Sequence, residues 1–401
     1  WTLEAAEAVC DEPQAMGLIA QLIDRSLVTA EETEFGARFA FLGTIREHAL
    51  KRIDAESLRE ATREYVRYFA ALSREAGEAL SSGNAAHSMR RIKAEDENIR
   101  EALDAGIEEP GAGEEMLTAC TALYRYWRLD GAVAEGRSLL GRALGSSPGR
   151  SETHARALGA LGHLCCADGD YASAEPHYAE SREIYAALGD KRGEAAMCSN
   201  SANARRGLRD LDGALELAMH GLALLNQLGD ATAQARALGN LSVIACDRGE
   251  YTDAQHYGEQ ALGRFRRSKD YPSVIAALLN TAYAALQLKR WQYSAEMLSE
   301  CLDLCTHLRA SRLLGMALTS AGVYCRHAGA QRTAIQLMAA GAEIWRRLHL
   351  TLSAERDELI ELRQELGSAV VDAEWEIGRK LSTKAAVSLA KSTLPHSQRA
   401  A

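Results

Sequence analysis

The sequence predicts an all-α protein built as a stacked array of helical hairpins. Three observations support this fold class. There are only 6 Pro among 401 residues, and Ala, Leu, Glu and Arg are abundant, which favours long helices. There are only 5 Phe and few β-branched runs, which disfavours a large sheet. The central region also aligns with itself when it is shifted by about 40 residues, which places Gly169 on Arg209 and Arg209 on Gly249.

The repeat is clearest in the turns that separate paired helices. Turn tetrads begin at residues 169, 209, 249, 289 and 329, with sequences GDYA, RDLD, GEYT, KRWQ and GAQR. Each unit is predicted to form a helix, a tight turn and a second helix. Small residues at fixed positions of both helices resemble the tetratricopeptide repeat, lengthened to about 40 residues. We expect five such repeats over 151–354, stacked into a solenoid with a concave groove.

The repeats are flanked by helical segments on both sides. Residues 56–150 are predicted as a helical linker with degenerate repeats, with helices over 56–80, 85–108, 114–129 and 132–145. Residues 355–393 are predicted as a C-terminal helical cap with breaks at Gly367 and Gly378. Such a cap covers the open apolar end of a solenoid. The tail, 394–401, contains Pro395 and is expected to fray.

Residues 1–55 have a different pattern. We predict helices over 2–10 and 14–25, an extended stretch over 26–29, a polar turn over 31–34, an alternating strand over 37–42 and a helix from Thr44. Helix, helix, hairpin, helix is the layout of a winged-helix domain. Its candidate recognition helix offers only Arg25 as a base, and acidic residues occupy the candidate wing. Because phosphates would be repelled there, direct DNA binding by this segment is disfavoured.

Composition narrows the function classes. The net charge is −9, from 46 basic and 55 acidic residues, and this argues against a whole-chain nucleic-acid binder. No apolar run approaches the roughly 18–20 residues that span a membrane, and no secretion signal is visible. The 9 Cys are interpreted as free thiols in a reducing compartment, so we expect a cytoplasmic location.

No catalytic or metal-binding set stands out in the sequence. The chain has no H-E-x-x-H, no G-x-S-x-G and no glycine-rich nucleotide loop, so we expect no enzyme and no cofactor in this chain. Cys301, Cys305 and His307 are candidate zinc ligands by residue type, but the repeat register places both Cys at packing positions, which predicts buried thiols. Acidic pairs such as Asp168 and Asp170 lie in turns, where they are expected to form turns and cap helices.

The best candidate site is an Asn ladder in the first helix of successive repeats. Asn200, Asn240 and Asn280 recur at the same register of three consecutive units. In tetratricopeptide stacks this helix lines the concave side, and a carboxamide can donate and accept at once, which suits an extended chain or a sugar. The alternative is that these Asn bond between neighbouring helices and hold the superhelix together; both interpretations stay open. The predicted groove is completed at two further positions by Asn203 and Tyr283, and by Arg206 and Arg326.

Four blocks resemble a larger family in their order. They are "WTLEAAEAVC" with "LIAQLIDRSLVT" and "ARFAFLGTIREHALKRI", then "RRIKAEDENIREALDAG", "YRYWRLDGAVAEGRSLLGRAL" and "LRQELGSAVVDAEWEIGRKLSTKAAVSLA". Together they resemble the C-terminal half of bacterial STAND-class signal-transduction ATPases. In these transcription regulators an NB-ARC-type nucleotide-binding domain precedes a winged helix and a tetratricopeptide sensor.

The resemblance implies a function and also exposes a departure. This chain has no G-x-x-x-x-G-K-[ST] loop, so the ATPase domain, with its ATP or ADP and Mg, is expected to lie before Trp1, and the chain is expected to be a fragment. The implied function is that of the sensor half. A peptide, protein or small-molecule inducer would bind in the groove and control the nucleotide-binding domain within the same parent protein. The alternative is a stand-alone tetratricopeptide scaffold for protein–protein interaction.

Overall fold

The computed structural model describes residues 1–12, 14–81, 84–348 and 356–394. The described residues are almost entirely helical and confirm the predicted all-α fold of paired helices. They form two compact units, Trp1–Leu208 and Arg209–Ala401. In the described part of the chain, every helix is too short or too polar to cross a bilayer.

The first unit opens with two helices, a hairpin and a third helix: α1 (Leu3–Cys10), α2 (Ala15–Asp24), β1 (Val28–Thr33), β2 (Gly36–Phe41) and α3 (Gly43–Leu50). The strands are antiparallel, with Thr33 opposite Gly36. The connection is therefore only two residues long, and the predicted polar turn over 31–34 is wrong, since residues 31–33 belong to β1. Gly36 supplies the positive φ of 94° after this tight connection.

Five helices follow: α4 (Ala55–Ala79), α5 (Ala85–Ala94), α6 (Asp96–Glu108), α7 (Gly113–Asp130) and α8 (Val133–Ser146). The helix predicted over 85–108 is in fact two helices, broken at Glu95. The side chain of Glu95 is buried, pairs with Arg38 of β2 and accepts a 2.6 Å hydrogen bond from Asn98. A buried carboxylate requires such partners, so this contact between distant segments accounts for the break.

The predicted repeats form ten helices. The first unit contains α9 (Glu152–Ala167), α10 (Tyr171–Leu188) and α11 (Lys191–Gly207). The second contains α12 (Leu211–Leu228), α13 (Ala231–Arg248), α14 (Tyr251–Ser268), α15 (Tyr271–Gln287), α16 (Trp291–His307), α17 (Ser311–His327) and α18 (Gln331–Arg347). In the third repeat the sequence pattern predicts helices over 231–248 and 251–268, and α13 and α14 have these bounds.

Aspartates in the turns cap the helices that follow them. Asp170 accepts a 3.1 Å hydrogen bond from the Ser173 amide, which confirms its predicted role. Its neighbour Asp168 instead pairs with Arg137 at 3.1 Å. The residue before the cap has a left-handed conformation, with φ of 75° at Gly169. This conformation explains why glycine recurs at the turn.

Small residues mark the places where paired helices touch. The hydroxyl of Ser181 donates to the Ala155 carbonyl oxygen at 2.6 Å, and that of Ser242 donates to the Ala254 carbonyl oxygen at 2.7 Å. At Gly162 an added Cβ would lie 2.6 Å from the Tyr178 ring. Larger residues at these positions would push the helices apart, which is why the repeat keeps them small.

The C-terminal cap consists of α19 (Arg356–Leu366), α20 (Ser368–Arg379) and α21 (Thr383–Thr393). Gly367 separates α19 from α20 with φ of 83°, as predicted. Gly378 is not a break: it lies inside α20, where a Cβ would collide with the Gln336 carbonyl oxygen. Leu394 is 3% exposed and joins the core of the second unit, so it is not frayed. The rest of the predicted tail, 395–401, and the predicted boundary at 354/355 lie outside the described residues.

Candidate functional site

The predicted site residues occupy three positions on the first helix of each repeat. Residues spaced by three along a helix share one side of it. We call this side the ladder face. Its first position holds Ala160, Asn200, Asn240, Asn280 and Ser320; its second holds His163, Asn203, Val243, Tyr283 and Val323; its third holds Cys166, Arg206, Cys246, Leu286 and Arg326.

In the second unit the ladder face presents open polar and aromatic groups. Asn240 on α13 and Asn280 on α15 are half-buried, and neither side chain hydrogen-bonds to any residue that the structure describes. One turn after Asn280, Tyr283 is 42% exposed, and its ring lies edge-on to Tyr251 at 6.3 Å. Burial raises the pKa of Tyr283, so its hydroxyl remains a neutral donor and acceptor. These groups can hydrogen-bond to and stack against a bound chain.

Arg326, at the end of the same face, is already engaged. Its guanidinium pairs with Glu358 and Glu361 of α19, and lies 3.4 Å from the Glu365 carboxylate. Only 15% of its side chain is exposed. A ligand anion would have to replace these carboxylates, so Arg326 holds the C-terminal cap and is not an open cationic group.

In the first unit the ladder face is partly satisfied. The Asn200 amide nitrogen lies 3.5 Å from His163 Nε2, and the Tyr178 hydroxyl lies 3.0 Å from His163 Nδ1. The Tyr124 ring stacks on His163 at 5.6 Å. Burial, with Arg128 and Arg125 nearby, lowers the pKa of His163 to about 4. The imidazole is therefore neutral at pH 7, with Nε2 accepting from Asn200 and Nδ1–H donating to Tyr178.

The other two predicted residues of this unit lie on α11. Asn203 is exposed and Arg206 is half-buried. With Asn200 they line one side of a single helix. The repeat register therefore places all three predicted residues of α11 on its ladder face.

Sequence reasoning missed two cationic residues of the same face. Gly131 ends α7 with φ of 84°, as Gly169 ends the corresponding turn of the next repeat. Counting back from this glycine places Arg125 at the position of His163 and Arg128 at the position of Cys166. The degenerate repeat around Trp127 was visible in the sequence, and extending the register into it would have found both.

Cys301 and Cys305 occupy packing positions, as the register predicts. Cys301, Cys305 and Cys325 are fully buried, and burial raises the pKa of the Cys325 thiol. Over the described ranges, no group of three or more His, Cys, Asp or Glu could hold a metal ion. The side chains of Cys301 and Cys305 therefore act as small apolar groups in the core of the second unit.

Comparison with known proteins gives structural neighbours only. No protein-family model and no curated protein sequence matches the chain. The structure is similar to a STAND protein with a tetratricopeptide repeat sensor from Pyrococcus horikoshii, with a TM-score of 0.50 and 14% identity over 94% of this chain and 62% of that one. It is similar to a Rap protein complexed with competence and sporulation factor, with a TM-score of 0.52 and 11% identity over 84% and 92% of the two chains. It is also similar to aspartyl phosphate phosphatase F from Bacillus subtilis, with a TM-score of 0.51 and 14% identity over 82% and 96%.

At these identities the similarity shows the fold alone. The chain has the helical-repeat architecture of tetratricopeptide proteins, an all-α solenoid. It spans less than two thirds of the length of the STAND neighbour.

Proposed function

We propose that this chain is the sensor part of a STAND-type signal-transduction ATPase, and that its ladder face binds a peptide or protein ligand. The observation that carries the proposal is the pair Asn240 and Asn280. Both are half-buried amides in one register, without a hydrogen-bond partner among the described residues, and the exposed Tyr283 lies beside them. Both amides are partly open to solvent, so the backbone of an extended peptide can hydrogen-bond to them.

Two structural neighbours support this proposal by analogy. One carries its repeats as the sensor of a STAND protein. Another is a Rap protein in complex with competence and sporulation factor. Both have repeats of this architecture, and the analogy favours a protein or peptide ligand over a sugar or another small molecule.

Residues 1–55 would transmit the bound state. We propose that they form a winged helix that docks on an NB-ARC-type nucleotide-binding domain outside this chain, which would hold ATP or ADP and Mg. Helix α3 buries none of its residues, and Met16, Leu18 and Leu42 are each at least 50% exposed. An apolar surface of this kind suits a protein contact. Ligand binding would then be coupled to the nucleotide state through the repeats.

A hexapeptide array followed by calorimetric titration tests ligand binding. Asn240→Ala and Tyr283→Ala are expected to weaken a selected peptide by about tenfold or more, because each removes a contact group. Tyr271→Ala is the matched control, since Tyr271 is also 42% exposed and lies on the same helix as Tyr283. Equal affinities for all three variants would contradict the proposed ladder face.

The stand-alone scaffold differs from the sensor in one result. A sensor that is joined to its nucleotide-binding domain should change its rate of nucleotide exchange when the peptide binds. A scaffold should bind the same peptide without any such change. Measuring nucleotide release from the full parent protein, with and without the selected peptide, separates the two.

A further inference from the structure

We infer that the first unit carries an anion-binding site formed by Arg125 and Arg128, which takes a carboxylate of an acidic peptide. This inference rests on the proposed function, because it names the chemistry of the ligand and one place where the ligand is held. It concerns residues that the Asn ladder did not include. The site lies on the ladder face of α7, α9 and α11.

The two guanidinium groups lie on one side of α7, and neutral groups hold that of Arg125 in place. Arg125 lies over the Tyr124 ring at 5.5 Å, donates to the Tyr124 hydroxyl at 2.8 Å and also hydrogen-bonds to the Ser81 hydroxyl. Arg128, three residues further on, is exposed. Neither guanidinium forms an ion pair with a carboxylate in the part of the chain that the structure describes.

Three arginines on the adjacent helices α6 and α8 are neutralised by carboxylates, unlike these two. Arg100 pairs with Glu135, Arg137 with Asp168 and Asp170, and Arg142 with Asp104. The unpaired positive charge is therefore concentrated where α7 faces His163. A fixed, unneutralised charge on a face with open hydrogen-bonding groups is typical of a ligand site.

The environment of His163 supports this concentration of charge. Burial lowers the pKa of His163, and Arg128 and Arg125 lower it further, with no carboxylate acting in the opposite direction. The imidazole therefore stays neutral, and it holds the Asn200 amide by the 3.5 Å contact. The resulting face has two cations, one amide and the Tyr124 ring.

A single carboxylate fits this arrangement better than a polyanion. A guanidinium presents a planar fork of donors that matches a carboxylate, and two such forks can hold one carboxylate while Asn200 bonds to the peptide backbone. A nucleic acid would instead meet a chain with a net charge of −9, which repels a phosphate backbone. The preferred ligand is thus a peptide with an acidic side chain or a free C-terminal carboxylate.

The test uses hexapeptides in which each position in turn is Glu or Gln, together with matched C-terminal acids and amides. A preferred peptide is expected to bind about tenfold more tightly in its acidic form, as charge-assisted hydrogen bonds require. Arg128→Gln and Arg125→Gln should abolish that preference. Arg59→Gln should preserve it, because Arg59 is an exposed arginine of α4 and therefore lies outside the ladder face of α7, α9 and α11.

Each outcome has a distinct meaning. The anion site is overturned if peptides bind equally strongly in their Glu and Gln forms and their binding depends on Asn240 and Tyr283 alone. The proposed function still stands in that case. An oligonucleotide that binds the wild-type protein and loses binding in Arg128→Gln would overturn the peptide as ligand. An array without any binding member would overturn both proposals. Melting of the Arg128→Gln protein, whose changed side chain is exposed, verifies that the variant is folded.

Discussion

The Asn200 side chain donates to Nε2 of His163, 3.5 Å away on the first helix of the preceding repeat. The repeat register makes Asn200, Asn240 and Asn280 equivalent, but their surroundings differ. Only Asn200 has a histidine at the second ladder position of the preceding repeat; Asn280 has Val243 there instead. The chemistry of the ladder face therefore changes along the chain, from a charged and engaged part to an open part with Tyr283.

The neutral state of His163 predicts a pH-dependent stability. Its pKa is about 4 in the folded protein, against an ordinary value of 6.5. Between these values the unfolded chain binds the proton more readily, so this contribution is complete above about pH 6.5 and is lost as the pH falls toward 4. We expect the free energy of unfolding to fall by about 2 kcal/mol between pH 7 and pH 5 from this group.

Urea unfolding at both pH values, for the wild type and for His163→Gln, measures this contribution. The variant should lose most of the dependence. If the free energy of unfolding of the variant depends on pH as strongly as that of the wild type, His163 titrates normally in the folded protein. The side chains around the imidazole must not be substituted in these variants. They are Tyr124, Arg125 and Arg128 of α7, Cys166 of α9, Tyr178 of α10 and Asn200 of α11.

The close approach at Gly162 predicts a cost for a single methyl group. Gly162→Ala would place a Cβ 2.6 Å from the Tyr178 ring and should lower the free energy of unfolding by about 1–3 kcal/mol. Gly239→Ala is the control, since Gly239 is helical and has nothing within 4 Å of an added Cβ. It should stabilise the protein by about 0.5–1 kcal/mol. Equal thermal melting of the two variants would contradict the packing account.

The ion pairs of Arg326 predict a local effect on the C-terminal cap. Arg326→Gln removes the charge that holds three carboxylates of α19, so amide hydrogen exchange over 356–366 should accelerate. Arg332→Gln should change it little, because the Arg332 side chain is 73% exposed and lies 3.7 Å from Glu374. Unchanged exchange in Arg326→Gln would show that α19 is held by its apolar contacts alone.

The missing phosphate loop predicts that the chain by itself does not bind ATP. A P-loop cradles the phosphates with backbone amides and a lysine, and this sequence has no such segment. Calorimetric titration with ATP and Mg should therefore give no saturable heat. Micromolar, saturable binding would reveal a nucleotide site that the sequence does not encode in a familiar form.

The local signals in the sequence were sufficient to predict most helices. The fixed repeat period, the turn glycines and the capping aspartates are short-range features, and the bounds of α13 and α14 followed from them. The break at Glu95 was missed because it depends on Arg38, which is 57 positions away in sequence. The engagement of Arg326 was missed for the same reason, since its carboxylate partners follow 32–39 residues later.

The candidate site was predictable only in part. Periodicity identified the ladder positions, because equivalent residues in stacked repeats share one face. Periodicity could not show which ladder residues already have hydrogen-bond or ion-pair partners within the protein. That depends on the residue that stands one repeat away, as His163 does for Asn200. Arg125 and Arg128 were missed because the hairpin of α7 and α8 resembles the repeat weakly, with Gly131 in its turn and the small Gly136 in α8 as its clear matches.

The measurement that tests the central claim most directly is the free energy of unfolding of Asn240→Ala, determined before any ligand is known. If the ladder face of the second unit is a recognition surface, the variant removes no hydrogen bond of the free protein, and its stability should change by less than about 0.5 kcal/mol. The affinity for a selected peptide should then fall by roughly 1–3 kcal/mol. A loss of stability of about 2 kcal/mol or more from this single change would mean that Asn240 is a structural residue that holds the repeats together, and it would contradict the claim.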